Sequence, residues 1–304
     1  MFFVRDYLKS KNKEIDDVKY ASKIISKASF ELIFGITRFI EGYLQKNGFR
    51  DYMDQVLDTI NFFKNNKKYI PEFDHILVDE YQDVNSLQIE LLDYLVQNDE
   101  KNESKNIFCV GDPRQSIFGW RGSDIKYIND FDKKYVDAQV VMLTENYRSD
   151  KKIVDLMNET IKTMQLPNLI SNIKNEATIK LLKFNNEQAE YAFITQSILS
   201  SKIRKDEIFV LARMNKQLKE ISEQFKLNEI PFVLKDDDSQ TQIGEHEGKV
   251  VLATVHSIKG LEAQSVYVAG CSSLYFPCKT SDHPFLEMIK VDEYDKHEEE
   301  RRLF

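Results

Sequence analysis

From residue 76 onward, short apolar runs alternate with amphipathic segments. Apolar residues recur at helical spacing between several of these runs, at Leu87–Val96, Ile153–Met164, Ala189–Leu199 and Leu218–Phe225. Alternation of this kind is typical of a mostly parallel α/β sheet, or of two such sheets in series. The sequence therefore predicts strands at Ile76–Val78, Ile107–Val110, Val140–Leu143, Ile179–Leu182, Ile208–Leu211, Val250–Ala253 and Val266–Val268.

The beginning of the chain has a different character. Apolar residues recur at helical spacing over residues 24–36 and 53–60, and Pro71 closes the region. We therefore predict a helical region over residues 1–71. A polar break predicts a second boundary near residues 132–139, and a chain of 304 residues is long enough for two domains that each bury a core.

Two adjacent carboxylates come directly after the first predicted strand, in the segment D-E-Y-Q-D at residues 79–83. In open α/β sheets, ligands bind at the carboxyl ends of the strands. One carboxylate there can hold Mg²⁺ while its neighbour orients and deprotonates an attacking water. Taken alone, the segment leaves open a polar strand end followed by a helix cap, with Asp83 as the cap.

Polar, charged and aromatic residues also follow three later strands. The segments are G-D-P-R-Q-S-I-F-G-W-R-G at residues 111–122, T-E-N-Y-R-S at residues 144–149 and T-V-H-S-I-K-G-L-E at residues 254–262. Clustering of such residues at four strand ends indicates a nucleotide site in an α/β protein.

In this order, the four segments resemble motifs II, III, IV and V of UvrD/Rep/PcrA-type superfamily 1 DNA helicases. The resemblance covers the chain from about Glu72 to its end, with a looser match before it. It implies the P-loop NTPase helicase core, an α/β fold. A partial first RecA-like domain over residues 72–138 would follow the helical region, and a second RecA-like domain would occupy residues 139–304.

The resemblance implies roles for three residues of the first domain. Asp79 resembles the aspartate that coordinates Mg²⁺, and Glu80 resembles the general base for attack of water on ATP. Gln115 resembles the glutamine that senses the γ-phosphate and links the ATP site to the DNA track.

In the second domain, Arg148 resembles an arginine finger that places positive charge on the transferring phosphoryl group. Tyr147 resembles the aromatic residue that stacks on adenine, and Glu262 resembles the motif V residue that contacts the nucleotide sugar. We expect Arg148 and Tyr147 to follow the first strand of this domain. If the resemblance extends to the structure, these residues and those of the first domain face one cleft.

Trp120 is the only tryptophan of the chain and stands beside Arg121. An aromatic ring at a domain edge can stack on an unpaired base without reading its sequence, and the resemblance implies this role for Trp120. A core position is the alternative, but the flanking Gly119 and Gly122 favour an exposed loop. We therefore predict that Trp120 and Arg121 contact single-stranded DNA.

The net charge of −8 argues against binding nucleic acid by bulk electrostatics, but it does not exclude a narrow track of stacking residues and local cations. His256 is a weaker candidate for a DNA contact, and Arg213 and Asn215 are weaker still. No apolar run is long enough to cross a bilayer, and the polar N-terminus lacks the core of a signal peptide. We therefore expect a cytoplasmic protein with no membrane partner.

The three cysteines form no C-x-x-C pair. Cys271 and Cys278 flank a loop near His283, which leaves a metal site conceivable, but no fourth ligand has regular spacing. Free thiols in a reducing compartment account better for all three, and Cys109 is expected in the core.

The chain also departs from the family pattern. No glycine before Asp79 precedes a Lys-Ser or Lys-Thr pair, so the phosphate-binding loop G-x-x-x-x-G-K-[ST] is absent. The final residues, Glu299 to Phe304, resemble only the opening of motif VI. The short connection from Phe232 to Val250 leaves no room for the large helical domain that family members commonly insert.

These features predict part of an ATP- and Mg²⁺-dependent translocase on single-stranded DNA. The chain is expected to be unable to hydrolyse ATP alone, with a separate polypeptide supplying the P-loop. A non-hydrolysing module that binds DNA or a protein partner is the second possibility, and a remnant without function is the third.

Overall fold

The computed structural model describes residues 2–20, 25–97, 106–135, 137–174, 177–235, 246–278, 289 and 295–303. The chain forms two compact units. Unit 1 consists of Met1–Met142 and Asp282–Asp295, and unit 2 consists of Leu143–Ser281 and Lys296–Phe304. In the part of the chain that is described, no helix combines the length and apolar character needed to cross a membrane. His283, considered above as a metal ligand, lies outside the described residues.

Unit 1 begins with the helices α1 (Phe2–Ser10), α2 (Lys27–Lys46) and α3 (Tyr52–Asn65). The side chains of Ser26 and Asp51 accept backbone N–H bonds at the starts of α2 and α3, which satisfies donors that a helix start leaves open. The buried residues Tyr7, Leu8 and Phe34 belong to one apolar cluster that joins α1 to α2.

The sheet of unit 1 has two parallel strands, β1 (His75–Val78) and β2 (Asn106–Cys109), with the helix α4 (Ser86–Gln97) between them in the chain. One face packs against a core that includes Tyr81 and Val84. On the other face, Leu77 is paired with Phe108, and these side chains are 73% and 62% exposed. The short helices α5 (Lys126–Asn129) and α6 (Phe131–Lys134) follow.

The main sheet of unit 2 has four parallel strands in the order β6-β7-β5-β8. The strands are β5 (Ile208–Ala212), β6 (Phe232–Lys235), β7 (Val250–Thr254) and β8 (Ser265–Ala269). Alternate residues of β5 and β7 belong to two separate buried clusters, so the sheet is covered on both faces. The helices of this unit are α7 (Lys151–Thr160), α8 (Glu187–Ser200), α9 (Asn215–Leu227) and α10 (Lys296–Leu303).

Five of the predicted strands are confirmed, as β1, β2, β5, β7 and β8, but two are wrong. Val140–Leu143 and Ile179–Leu182 form no strand, and that part of the chain instead contains the two-stranded parallel sheet of β3 (Glu145–Asp150) and β4 (Ile170–Ile173). An apolar run favours a strand when neighbouring elements cover its side chains. Val141 is 77% and Leu181 is 90% exposed, so neither run has such cover.

Candidate functional site

The predicted catalytic carboxylates stand at the end of β1. Asp79 and Glu80 are both exposed. Glu80 has left-handed backbone angles, φ 50° and ψ 41°, which turn the chain sharply after the strand, and the Asp79 side chain accepts the Glu80 backbone N–H at 2.8 Å. The turn presents two neighbouring carboxylates to solvent.

Gln115 stands at the corresponding end of β2. Because β1 and β2 are parallel and in register, the loops that follow them leave the same edge of the sheet. The backbone N–H of Val110 donates to Val78 O at 2.8 Å, and the N–H of Tyr81 donates to Val110 O at 2.9 Å. The structure therefore places Asp79, Glu80 and Gln115 at one edge, the geometry that a shared nucleotide would require.

Asp112 organises the turn that carries Gln115. Its side chain accepts the backbone N–H of Arg114 at 3.0 Å and the side-chain amide of Gln115 at 3.2 Å. Pro113 stands at the first position of this turn, where its missing N–H costs nothing. Gln115 itself is exposed, and its amide has a second N–H besides the one that it donates to Asp112.

Gln82 is a site residue that sequence reasoning missed. Its side chain is fully buried and lies between the two loops. Its amide nitrogen donates to Glu80 Oε2 at 2.5 Å, and its amide oxygen accepts the Asp112 N–H at 2.9 Å. Gln82 belongs to the D-E-Y-Q-D segment, but nothing in that segment indicates where its amide points.

Trp120 lies in a tight turn, Gly119–Arg121, and is neither fully exposed nor a core residue. The Arg121 guanidinium stands 4.6 Å from the centre of the Trp120 ring, within the range of a cation–π contact. Gly122 closes the turn with φ +100°, and a Cβ there would come 1.8 Å from the Ser10 hydroxyl of α1. Only glycine fits this position, because the turn packs directly against Ser10 at the end of α1.

In unit 2, Tyr147 and Arg148 lie within strand β3 rather than after a strand, which corrects the expectation from the sequence. The register of β3 against β4 shifts between Asn146 and Asp150. The Asn146 side chain accepts the backbone N–H of Arg148 at 3.0 Å and that of Ser149 at 2.8 Å. Such bulges redirect side chains, and this one presents Arg148 and Tyr147 to solvent.

The structure brings Arg148 and Glu262 together. Arg148 Nε lies 2.7 Å from Glu262 Oε2, and both side chains are more than half exposed. Tyr147 is 70% exposed, and its hydroxyl donates to Glu145. This hydrogen bond to a carboxylate raises the pKa of Tyr147 above its usual value. The three candidate nucleotide contacts of unit 2 therefore lie on an accessible surface.

Of the weaker DNA candidates, His256 is buried and Arg213 is largely covered. His256 is 8% exposed, which argues against a direct contact with DNA. Arg213 is 13% exposed and forms two bonds to Glu300, at 2.6 and 3.2 Å. That ion pair attaches α10 to the end of β5 and gives Arg213 a structural position.

Asp79 and Glu80 fit a Mg²⁺ site by the chemistry of their donors. Mg²⁺ prefers oxygen ligands and keeps several waters, so one or two carboxylates plus phosphate oxygens usually suffice. Over the described residues, no three His, Cys, Asp or Glu side chains converge as a metal cage. The cysteines are free in the structure, and burial raises the pKa of Cys109 to about 12.

Two models of known protein families match the chain. Residues 6–136 match the UvrD/REP helicase N-terminal domain, and residues 141–240 and 233–304 match the UvrD-like helicase C-terminal domain.

Similar proteins are a probable DNA helicase II homolog of Mycoplasma capricolum, 31% identical over 66% of the chain, and two proteins described as ATP-dependent DNA helicase PcrA. The PcrA of Staphylococcus epidermidis is 30% identical over 75% of the chain, and that of Staphylococcus aureus is 32% identical over 63%. The matches cover 28%, 31% and 27% of these relatives, respectively. The chain therefore spans less than a third of their length.

Proposed function

Because the chain belongs to the UvrD/REP helicase family, we propose that it is part of an ATP-dependent translocase or helicase that acts on single-stranded DNA. The observation that carries the proposal is the convergence of Asp79, Glu80 and Gln115 at one edge of a parallel sheet, joined by hydrogen bonds through Gln82 and Asp112. Such an edge is where α/β proteins bind nucleotides.

Each residue of unit 1 has a chemical task in this proposal. Asp79 is the carboxylate that holds Mg²⁺, which neutralises charge on the phosphates when it is bound. Glu80, one residue further along the turn, orients the attacking water and takes its proton. Gln115 donates its amide to the γ-phosphate.

The candidate residues of unit 2 have chemical tasks of their own in this proposal. Arg148 adds positive charge to the phosphoryl group, and Glu262 accepts a hydrogen bond from the sugar. Their ion pair in the structure, 2.7 Å long, must open for either role. Tyr147 offers an exposed ring for stacking on adenine.

We also propose that a segment outside these 304 residues, on the same or on another polypeptide, supplies the P-loop, because no such motif occurs within them. The open face of the β1–β2 sheet supports this idea. Parallel sheets are normally covered on both faces, yet Leu77 and Phe108 lie exposed side by side. A polypeptide that carries the P-loop would cover them.

The experiment measures ATP turnover by the isolated chain, with and without single-stranded DNA. We expect none, since the β- and γ-phosphates lack their main anchor. Adding a polypeptide that carries the sequence G-x-x-x-x-G-K-[ST] and covers Leu77 and Phe108 should produce turnover stimulated by DNA. Glu80→Gln should abolish that turnover. DNA-stimulated hydrolysis by the isolated chain, sensitive to Glu80→Gln, would overturn the need for a P-loop from outside these residues.

Binding of DNA is measured separately by the fluorescence of Trp120. Single-stranded DNA should quench it much more than duplex does, because only unpaired bases can stack on the ring. Salt should weaken the effect modestly, since so acidic a chain neutralises few phosphates. An unchanged spectrum at saturating DNA would remove Trp120 from the DNA track. Quenching with no response to ATP in any mixture would favour the non-hydrolysing module.

A further inference from the structure

Gln82 has polar partners on two separate loops of unit 1. Its amide nitrogen donates to the Glu80 carboxylate at 2.5 Å, and its amide oxygen accepts the Asp112 N–H at 2.9 Å. Its backbone oxygen also accepts the Ser116 hydroxyl at 3.2 Å. The side chain is fully buried, so water cannot replace these bonds without rearrangement of the loops.

The loop after β2 is built closely against this side chain. A Cβ at Gly111 would come 2.6 Å from the Gln82 amide oxygen, so only glycine allows the approach. Beyond Trp120, two more hydrogen bonds join this loop to the chain that follows Gln82. The Ser123 hydroxyl donates to Asp83 O at 2.6 Å, and the Asp124 N–H donates to Val84 O at 3.2 Å. Both ends of the segment 111–124 are therefore hydrogen-bonded to the turn that begins with Glu80.

We propose that Gln82 is a positioning residue that couples the carboxylate of Glu80 to the segment 111–124, which carries Trp120. The effect of this coupling on catalysis rests on the proposed function, whereas the coupling itself can be observed in the chain without ATP hydrolysis. A change at Glu80 alters the bond to the Gln82 amide nitrogen. Because the amide is planar and rigid, its oxygen then moves relative to the Asp112 N–H.

The chemistry of the position requires a primary amide of this length. It must donate to a carboxylate and accept from a backbone N–H at the same time. Glutamate lacks the donor, methionine lacks both groups, and asparagine is one methylene too short to reach both partners. Substitution by methionine keeps the approximate volume of the buried side chain and removes only the polar link.

The test uses the isotope-labelled full chain without nucleotide, observed by two-dimensional NMR. Glu80→Gln should shift the side-chain amide signals of Gln82, the backbone amide of Asp112 and the indole N–H of Trp120. In the Gln82→Met background, the same Glu80→Gln change should no longer shift Asp112 or Trp120. Gln45→Met, the same substitution at an exposed position of α2, is the control and should leave the response to Glu80→Gln intact.

Gln82→Asn serves as the second background, because it retains an amide if the methionine variant folds poorly. Shifts at Asp112 and Trp120 that persist unchanged in both backgrounds would overturn the coupling. So would a Gln82 amide that fails to respond to Glu80→Gln in the otherwise wild-type chain. The NMR measurement requires no ATP hydrolysis, so it tests the coupling even if the proposed function is wrong.

The catalytic consequence is measured in the mixture with the P-loop segment. Gln82→Met should lower kcat by about 100-fold and leave KM unchanged, because small displacements of a catalytic group cost about that much. An inactive wild-type mixture would contradict the proposed function. An active wild-type mixture with an undiminished Gln82→Met variant would contradict the positioning role.

Discussion

The two parallel sheets of the molecule differ in how they are covered. In unit 2, every residue of β5 and β7 is buried, and side chains on both faces belong to apolar clusters. In unit 1, one face of the β1–β2 sheet is covered, with Ile76 buried and Cys109 partly buried, and Leu77 and Phe108 lie exposed on the other. Both sheets are nevertheless built from continuous apolar runs.

Continuous apolar runs are typical of strands that are buried on both faces, whereas strands with one solvated face alternate apolar and polar residues. The β1 run Ile76-Leu77-Val78 does not alternate, and neither does Ile107-Phe108-Cys109 in β2. Exposure therefore alternates along the strands of unit 1, although the polarity of their residues does not. Its strands have the composition of a covered sheet, while the structure covers one face.

The largest effect on stability is expected in the better-covered sheet, that of unit 2. Leu252→Ala removes a fully buried side chain from the centre of β7, and we expect it to lower the free energy of unfolding by about 3 kcal/mol, through lost transfer energy and a cavity. Leu77→Ala, the matched change on the open face of β1, should cost less than about 0.5 kcal/mol. Urea denaturation of both variants measures the difference, and equal losses would show that the open face is not open in solution.

A smaller effect on stability is expected at the ion pair between Arg213 and Glu300, which joins α10 to the sheet of unit 2. Arg213→Met leaves the buried Glu300 carboxylate without this partner, and should cost about 2 kcal/mol, since an unsatisfied buried charge is unfavourable. The double variant Arg213→Met/Glu300→Met should recover part of the loss, because it removes both charges. A double variant as unstable as the sum of the two single ones would mean that the pair carries no coupling.

The smallest effect concerns the two-stranded sheet of unit 2, which resembles that of unit 1 in exposure. Here a hydrogen bond to Glu145, rather than packing, holds the Tyr147 ring and raises the pKa of its hydroxyl. Glu145→Gln removes the negative charge, so the pKa of Tyr147 should fall towards its usual value. Spectrophotometric titration of the tyrosines, with Tyr147→Phe to identify the signal, measures the change. An unaltered titration would place the Tyr147 hydroxyl away from Glu145.

The apolar run Ile76–Val78 was enough to place Asp79 and Glu80 at a strand end, whereas Gln115, which stands five residues after Val110, was identified through the family resemblance. The same reasoning misplaced Tyr147 and Arg148. Their strand depends on pairing with Ile170–Ile173, a distant segment that residues 140–150 cannot specify. It also missed the amide of Gln82 and the burial of His256, since both depend on which loop lies opposite.

Glu80 occupies a left-handed conformation, with φ 50° and ψ 41°, that disfavours residues with a Cβ by about 1 kcal/mol. Asparagine is several-fold enriched in this region, so it is better suited to the backbone here. Asparagine would also withdraw the carboxylate from the place where Glu80 presents it. The residue that the turn prefers is thus not the one that the proposed chemistry needs, so the proposed role of Glu80 would come at some cost in stability.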